Sequence, residues 1–182
     1  QAVVKENLFK KHPYRWATIG SMEHLDAATL EEFQAFNKKF YIPNNAVLVV
    51  AGDFKKDQAK KWIAQYFGTI PKGAPIKREQ FIEEPITETI KARFEDNNIQ
   101  IPAIVAAYRT PSMKTRDARV LDLISSYLSD GKSSKLYKKI VDDKKIALQV
   151  GAFSNSQEDY GMYILYGLPM GQNSPTDILK EI

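Results

Sequence analysis

Ala147-Leu148-Gln149-Val150-Gly151-Ala152-Phe153 and, after the polar stretch Ser154 to Tyr160, Gly161-Met162-Tyr163-Ile164-Leu165-Tyr166-Gly167-Leu168 decide the fold class. Both runs are strand-sized and rich in aliphatic and aromatic residues, and the polar residues between them supply a turn, so they read as a β-hairpin. Met162, Ile164, Tyr166 and Leu168 alternate and are expected to share one face.

Working outward, Ser174-Pro175-Thr176-Asp177 opens a helix, with Ser at the N-cap, Pro at the first helical position and an acid in the first turn. On the amino-terminal side, Ser133 to Asp143 reads as a helix with Leu136, Tyr137, Ile140 and Val141 on its apolar side. Gly131 separates it from a helix over Arg116 to Ser129, with Val120, Leu121, Ile124 and Leu128 expected inward. Earlier still, Ile90, Ala92 and Phe94 alternate with polar neighbours as in a half-buried strand, and Ile101 to Tyr108 reads as a more buried one, the two expected to pair antiparallel. Strands in pairs with helices between them predict an α+β fold, an antiparallel sheet with helices packed on it.

The first third repeats the theme. Thr29 and Glu32 have capping-box spacing, and Leu30, Phe33, Phe36, Phe40 and Tyr41 follow at steps of three and four, so a helix is expected to about Tyr41. Ala46-Val47-Leu48-Val49-Val50-Ala51 is apolar on both faces, which suits a central strand covered on both sides. A further helix is expected over Asp57 to Phe67, ended by Gly68. Pro71, Pro75 and Pro85 then fall in a stretch without periodicity, the mark of an extended connection. Two partial lobes are therefore expected, residues 1–70 and 86–182, joined by the proline-containing connection 71–85.

Composition narrows the function. With 43% hydrophobic and 11% aromatic residues the chain has the material for a core, and a net charge of +4 spread along it gives no basic stripe for nucleic acid. The densest basic cluster, Lys55-Lys56 and Lys60-Lys61, has the spacing of a solvated helix face. No apolar run approaches the ~20 residues of a membrane-spanning helix. Absence of cysteine excludes disulfides and thiolate metal sites. Gln1 to Ile182 carries no signal-peptide pattern and ends within an expected helix, so the chain reads as a segment of a longer polypeptide.

Candidate chemistry is sparse. His12 and His24 are the only histidines, and neither belongs to H-E-x-x-H or H-x-x-E-H, the patterns by which one helix offers two imidazoles to zinc. Ser133 and Ser134 follow Gly131-Lys132 and precede an apolar-striped segment, which favours a capping role over nucleophilic catalysis. The acids Glu31-Glu32, Glu83-Glu84 and Asp142-Asp143 are sequence neighbours whose side chains point in different directions, a poor basis for an acid/base pair. No catalytic and no metal-ligating residue is assigned.

Two stretches resemble a known family. His12-Pro13-Tyr14 through Thr18-Ile19-Gly20-Ser21, with Phe40-Tyr41-Ile42-Pro43-Asn44-Asn45-Ala46 and Val49-Val50-Ala51-Gly52-Asp53, resembles the end of the first domain of pitrilysin/insulinase-type zinc peptidases, relatives of the mitochondrial processing peptidase. Leu128-Ser129-Asp130-Gly131-Lys132-Ser133-Ser134-Lys135-Leu136-Tyr137, continuing through Lys144-Lys145-Ile146-Ala147-Leu148, is similar to the corresponding stretch of the second, non-catalytic domain. The resemblance implies a zinc metalloendopeptidase as parent chain, with the zinc motif and its completing glutamate upstream of Gln1. Glu6 lies too near His12-Pro13-Tyr14 for that glutamate. It also implies an Arg and a Tyr, seven positions apart, that hold the substrate carbonyl. Aligned on Ser133-Ser134, those positions carry Val141 and Leu148, neither able to donate a hydrogen bond. This departure fits the zinc-bearing member of a two-chain enzyme, paired with a homologous subunit that supplies the Arg and Tyr; it also fits an inactive homologue kept as a scaffold. The first is preferred, acting on peptide substrates in the periplasm or cell envelope.

Overall fold

A computed structural model describes residues 2–182 and divides them into two compact units, one of residues 2–15 with 83–182, the other of residues 16–82. The larger unit is the α+β arrangement anticipated, an antiparallel three-stranded sheet with helices packed on it. Its strands are β1 (Ile104–Pro111), β2 (Ala147–Ser156) and β3 (Tyr160–Pro169), in the order β1-β3-β2. The hairpin forms where the two apolar runs place it. Gly151 faces Tyr166 across it, and a Cβ at Gly151 would stand 2.5 Å from the tyrosine ring, so any side chain there would displace the ring.

The expected partner of β1 is different. Residues 90–94 lie in no strand, and β1 pairs instead with β3, Ile104 opposite Gly167 through Pro111 opposite Tyr160. Alternation tells a strand which faces it has, but not which backbone it will bond. β3 is bonded on both edges and covered on both faces, with Tyr163 and Leu165 buried on one and Met162 and Ile164 on the other.

On the first face lie α5 (Arg116–Ser129), a π-helical turn (Tyr137–Asp143) and a short α6 (Pro175–Leu179). Thr115 accepts from the Ala118 N–H to cap α5, and Gly131, at φ 73°, makes the turn that follows in the left-handed region. The segment expected to be a regular helix from Ser133 is π-helical over most of its length, yet Leu136 and Ile140 are buried as expected and Val141 packs against the same cluster. Leu121 and Leu128 of α5 also face it, whereas Val120 and Ile124, expected inward, are more than a third exposed. The Ser174–Asp177 capping box opens α6, which ends at Leu179 before the chain does.

The second face is covered by the amino-terminal residues. Here α1 (Ala2–Leu8), for which the sequence reading had no element, brings Leu8 and the following Phe9 onto Met162 and Ile164. Residues 2–15 thus pack with the second lobe, although the sequence division groups them with residues 1–70.

The smaller unit holds α2 (Met22–Ala27), α3 (Leu30–Phe40) and α4 (Lys56–Phe67). Thr29 and Glu32 form the expected reciprocal cap of α3. Residues 46–51, expected to be a covered central strand, form none: Val47 and Val49 are 89% and 80% exposed, and no neighbouring strand bonds to them among the described residues. A β-prone run becomes a strand only where another backbone satisfies its N–H and C=O groups. Ile42 is the one buried side chain of residues 16–82. Beside it the connection is pinned, with Asn44 Oδ1 accepting from the Gly73 N–H at 3.0 Å and Asn44 Nδ2 donating to the Gly73 carbonyl at 3.3 Å.

A buried and a solvated aliphatic position should respond differently to substitution. Ile140→Ala, at a fully buried position, is expected to lower the unfolding free energy by about 2–5 kcal/mol. Val49→Thr, at a solvated one, should change it by less than about 0.5 kcal/mol. Urea unfolding followed by far-UV circular dichroism measures both.

Candidate functional site

The most concentrated polar chemistry in the larger unit is a node around Glu83, whose side chain is 2% exposed. One carboxylate oxygen, Oε1, accepts from three consecutive backbone N–H groups, those of Lys10 at 2.8 Å, Lys11 at 2.6 Å and His12 at 2.7 Å. Three successive amides turned inward form a concave anion site, here filled by the chain's own carboxylate. The other oxygen, Oε2, accepts from Arg109 Nη1 at 3.3 Å. Arg109 comes from β1 and also donates to the carbonyls of Leu8, at 2.8 Å, and Glu84. The Glu83 N–H donates to the Tyr160 hydroxyl at 3.0 Å, and the Arg109 guanidinium lies 5.7 Å from the centre of the Tyr160 ring.

Burial by itself drives the Glu83 carboxyl upward, but the three amides and the Arg109 charge outweigh it and hold the group below the ordinary carboxylate range. Beside it, Lys11 and Glu84 pair at 2.9 Å on the surface, which raises the lysine and lowers the acid. Surface pairing of this kind contributes little to stability.

His12 is part of the same assembly. It is 4% exposed and packs against Phe9, Tyr14 and Tyr160. The Tyr14 N–H donates to Nδ1 at 3.1 Å, so in the neutral ring Nε2 carries the proton, toward the Asp159 carboxylate at 3.3 Å. Both ring nitrogens are engaged within the chain. His24 lies on the exposed helix α2 and Glu6 on an exposed position of α1, and among the described residues no three His, Asp or Glu side chains gather as a metal ion requires. The groups present do not fit a zinc centre.

The other singled-out residues are scattered. Val141 is half-buried in the π-helical turn, and Leu148 is 52% exposed where the register of β2 against β3 jumps between Ala147 and Gln149. Ser134 Oγ is buried without a hydrogen-bond partner, and no bond from Ser133 or Ser134 caps the helix, contrary to expectation. The Glu31-Glu32 pair serves helix capping through Glu32. Asp142 and Asp143 are exposed at the end of the turn.

Sequence reasoning passed over Glu83 and Arg109. Their partners stand 71 to 73 positions away for the amides and 26 for the ion pair, so no local spacing announces them. A cleft of about 290 Å³ opens beside the node, with Leu8, Lys10, Glu84, Ile86, Ile90 and Arg109 in its wall. This chemistry suits holding chain segments together. It has no activated nucleophile and no unengaged general base.

Because Glu83 is held below its unfolded value, its contribution to stability is complete above the ordinary carboxylate range and is lost as pH falls through the folded value. Glu83→Gln is expected to cost about 2–4 kcal/mol at neutral pH. The gap between variant and wild type should narrow in acid; denaturant unfolding at a series of pH values measures it.

Comparison with known proteins follows the fold. The family model described as the peptidase M16 inactive domain matches residues 27–177. The chain is similar to the zinc protease PqqE of Helicobacter pylori, 27% identical over 158 residues that make up 84% of this chain and 35% of that protein. It is also similar to the non-peptidase homolog YmxG of the same organism, 24% identical over 152 residues, 84% of this chain and 35% of that protein. A protease structure from Helicobacter pylori shares the fold, with a TM-score of 0.75 and 24% identity over 96% of this chain and 43% of the other. The chain spans little more than a third of the length of the curated relatives it matches. The match covers most of the chain, and the resemblance to the pitrilysin/insulinase-type peptidases is thereby made specific: the chain belongs to the peptidase M16 inactive domain family.

Proposed function

We propose that these residues are the non-catalytic part of a zinc-dependent metallopeptidase, contributing wall to a substrate chamber and surface to subunit pairing. The zinc ligands would lie on a longer polypeptide outside them. The observation that carries this reading is the donor set: the chain matches an inactive domain, its buried histidine has both nitrogens engaged, and aliphatic Val141 and Leu148 stand where the resemblance puts an Arg and a Tyr. Neither aliphatic group can stabilise an oxyanion. A homologous subunit carrying that pair would complete the site, with unfolded peptide as substrate. The periplasm or cell envelope is the compartment that goes with this reading.

A second reading has its own support, since one relative is named a non-peptidase homolog. In it the parent chain lacks zinc and serves as a scaffold for a partner. The two readings differ in one measurable quantity. For the zinc-bearing reading, metal analysis of the full-length parent finds about one zinc per chain, with peptide cleavage that appears when the partner subunit is added. The 182-residue segment alone retains no zinc and cleaves nothing. A full-length parent without zinc, bound stably to its partner and inactive in every combination, establishes the scaffold instead; stoichiometric zinc on the segment alone overturns both.

A further inference from the structure

The Glu83 node sits where the amino-terminal segment meets the sheet, and besides the Lys11–Glu84 and His12–Asp159 pairs that segment makes contacts of two main kinds. One is apolar: Leu8 at 6% and Phe9 at 1% exposure cover Met162 and Ile164, with Val4, Tyr14, Ala107 and Tyr160 around them. The other is the polar clasp, in which Glu83 takes the N–H groups of Lys10, Lys11 and His12, and Arg109 takes the carbonyl of Leu8. No strand of the sheet pairs with residues 2–12, because β3 is bonded on both edges by β1 and β2 and the segment crosses its face. The opposite face has a separate apolar cluster built from Leu136, Ile140, Val150, Leu165 and Ile178, to which residues 2–12 contribute nothing.

We propose that residues 2–12 form a releasable strap over one face of the sheet, with the Glu83 carboxylate and Arg109 as its clasp. Released, the strap uncovers Ala107, Met162 and Ile164 while the sheet and the helical face stay folded. The geometry concentrates control at the clasp, since one oxygen accepts all three amides and neutralising it weakens three bonds together. The charged or titratable groups facing it are Arg109 from β1, His12 and Lys11 from the strap, Glu84 beside it in the chain and Tyr160 from β3, with Asp159 reached through His12. Of these, Glu83 is the one whose loss of charge in acid weakens the acceptor that all three amides share. Opening is therefore favoured as pH falls through the folded value of that carboxylate.

Hydrogen exchange by mass spectrometry on the full 182-residue chain tests this, comparing wild type, Glu83→Gln and Arg109→Met at neutral pH and wild type in acid, with rates corrected for intrinsic exchange. Amides of the strap are expected to exchange ahead of those of β2 and β3 in every protein, and at least about tenfold faster in Glu83→Gln than in wild type, with Arg109→Met moving the same way. The sheet amides should remain the slowest in each, and an apolar-surface dye should bind more strongly to the variants. Strap and sheet amides exchanging at one common rate would mean there is no separate strap. So would an unchanged strap in Glu83→Gln. A full-strength Glu83→Gln effect at neutral pH without acid acceleration in the wild type would remove the carboxylate charge as the control.

Discussion

The larger unit depends on β3 being bonded along both edges. A strand with two neighbours has all its backbone groups satisfied and presents both faces for covering, and β3 uses both: Tyr163 and Leu165 enter one apolar cluster, Met162 and Ile164 the other. Everything that packs in this unit packs on one of those faces. The helical elements take the first, in which Ile140 and Ile178 are wholly buried. Among the described residues the second carries the seven residues of α1 and the loop that follows, with Leu8 and Phe9 buried on it.

Beside that cover, polar chemistry concentrates at Glu83. Burying Leu8 and Phe9 is offset by the entropy of ordering the residues that carry them, which is of the same size as the burial gain. A carboxylate bonded to three amides supplies directional attraction that apolar contact lacks, and Arg109 balances its charge where water is excluded. His12 extends the same logic, its two nitrogens spanning from the Tyr14 backbone to Asp159 in the β2–β3 turn. The aromatic packing of Phe9, His12, Tyr14 and Tyr160 closes the node from above.

What the sequence disclosed follows the range of the interactions. Capping boxes at Thr29–Glu32 and Ser174–Asp177 act across three residues and were legible, as was a hairpin whose strands are separated only by a turn. The pairing of β1 was not, since residues 90–94 and β3 are both plausible partners by pattern and only assembly decides between them. The apolar run at residues 46–51 shows the same gap from the other side: its composition is that of a central strand, but it has no neighbour here. The absence of a zinc motif could be read directly from two histidines, whereas the buried Glu83 looked like one half of an ordinary acidic doublet before a proline. Pattern identifies faces and ends; burial of a charge needs the partners.

Local geometry also bears on why aliphatic residues are tolerated at Val141 and Leu148. Val141 stands in the wide turn whose neighbouring Ile140 is fully buried, and it adds to the same cluster, so its volume there contributes to packing. Leu148 stands at the register jump of β2, half in solvent, where side-chain identity is weakly constrained by the core. At the first position an Arg would have to extend its charge past that cluster to reach solvent; at the second a Tyr could be carried with little change. The two positions therefore differ in what a longer polar side chain would meet, packing at Val141 and solvent at Leu148.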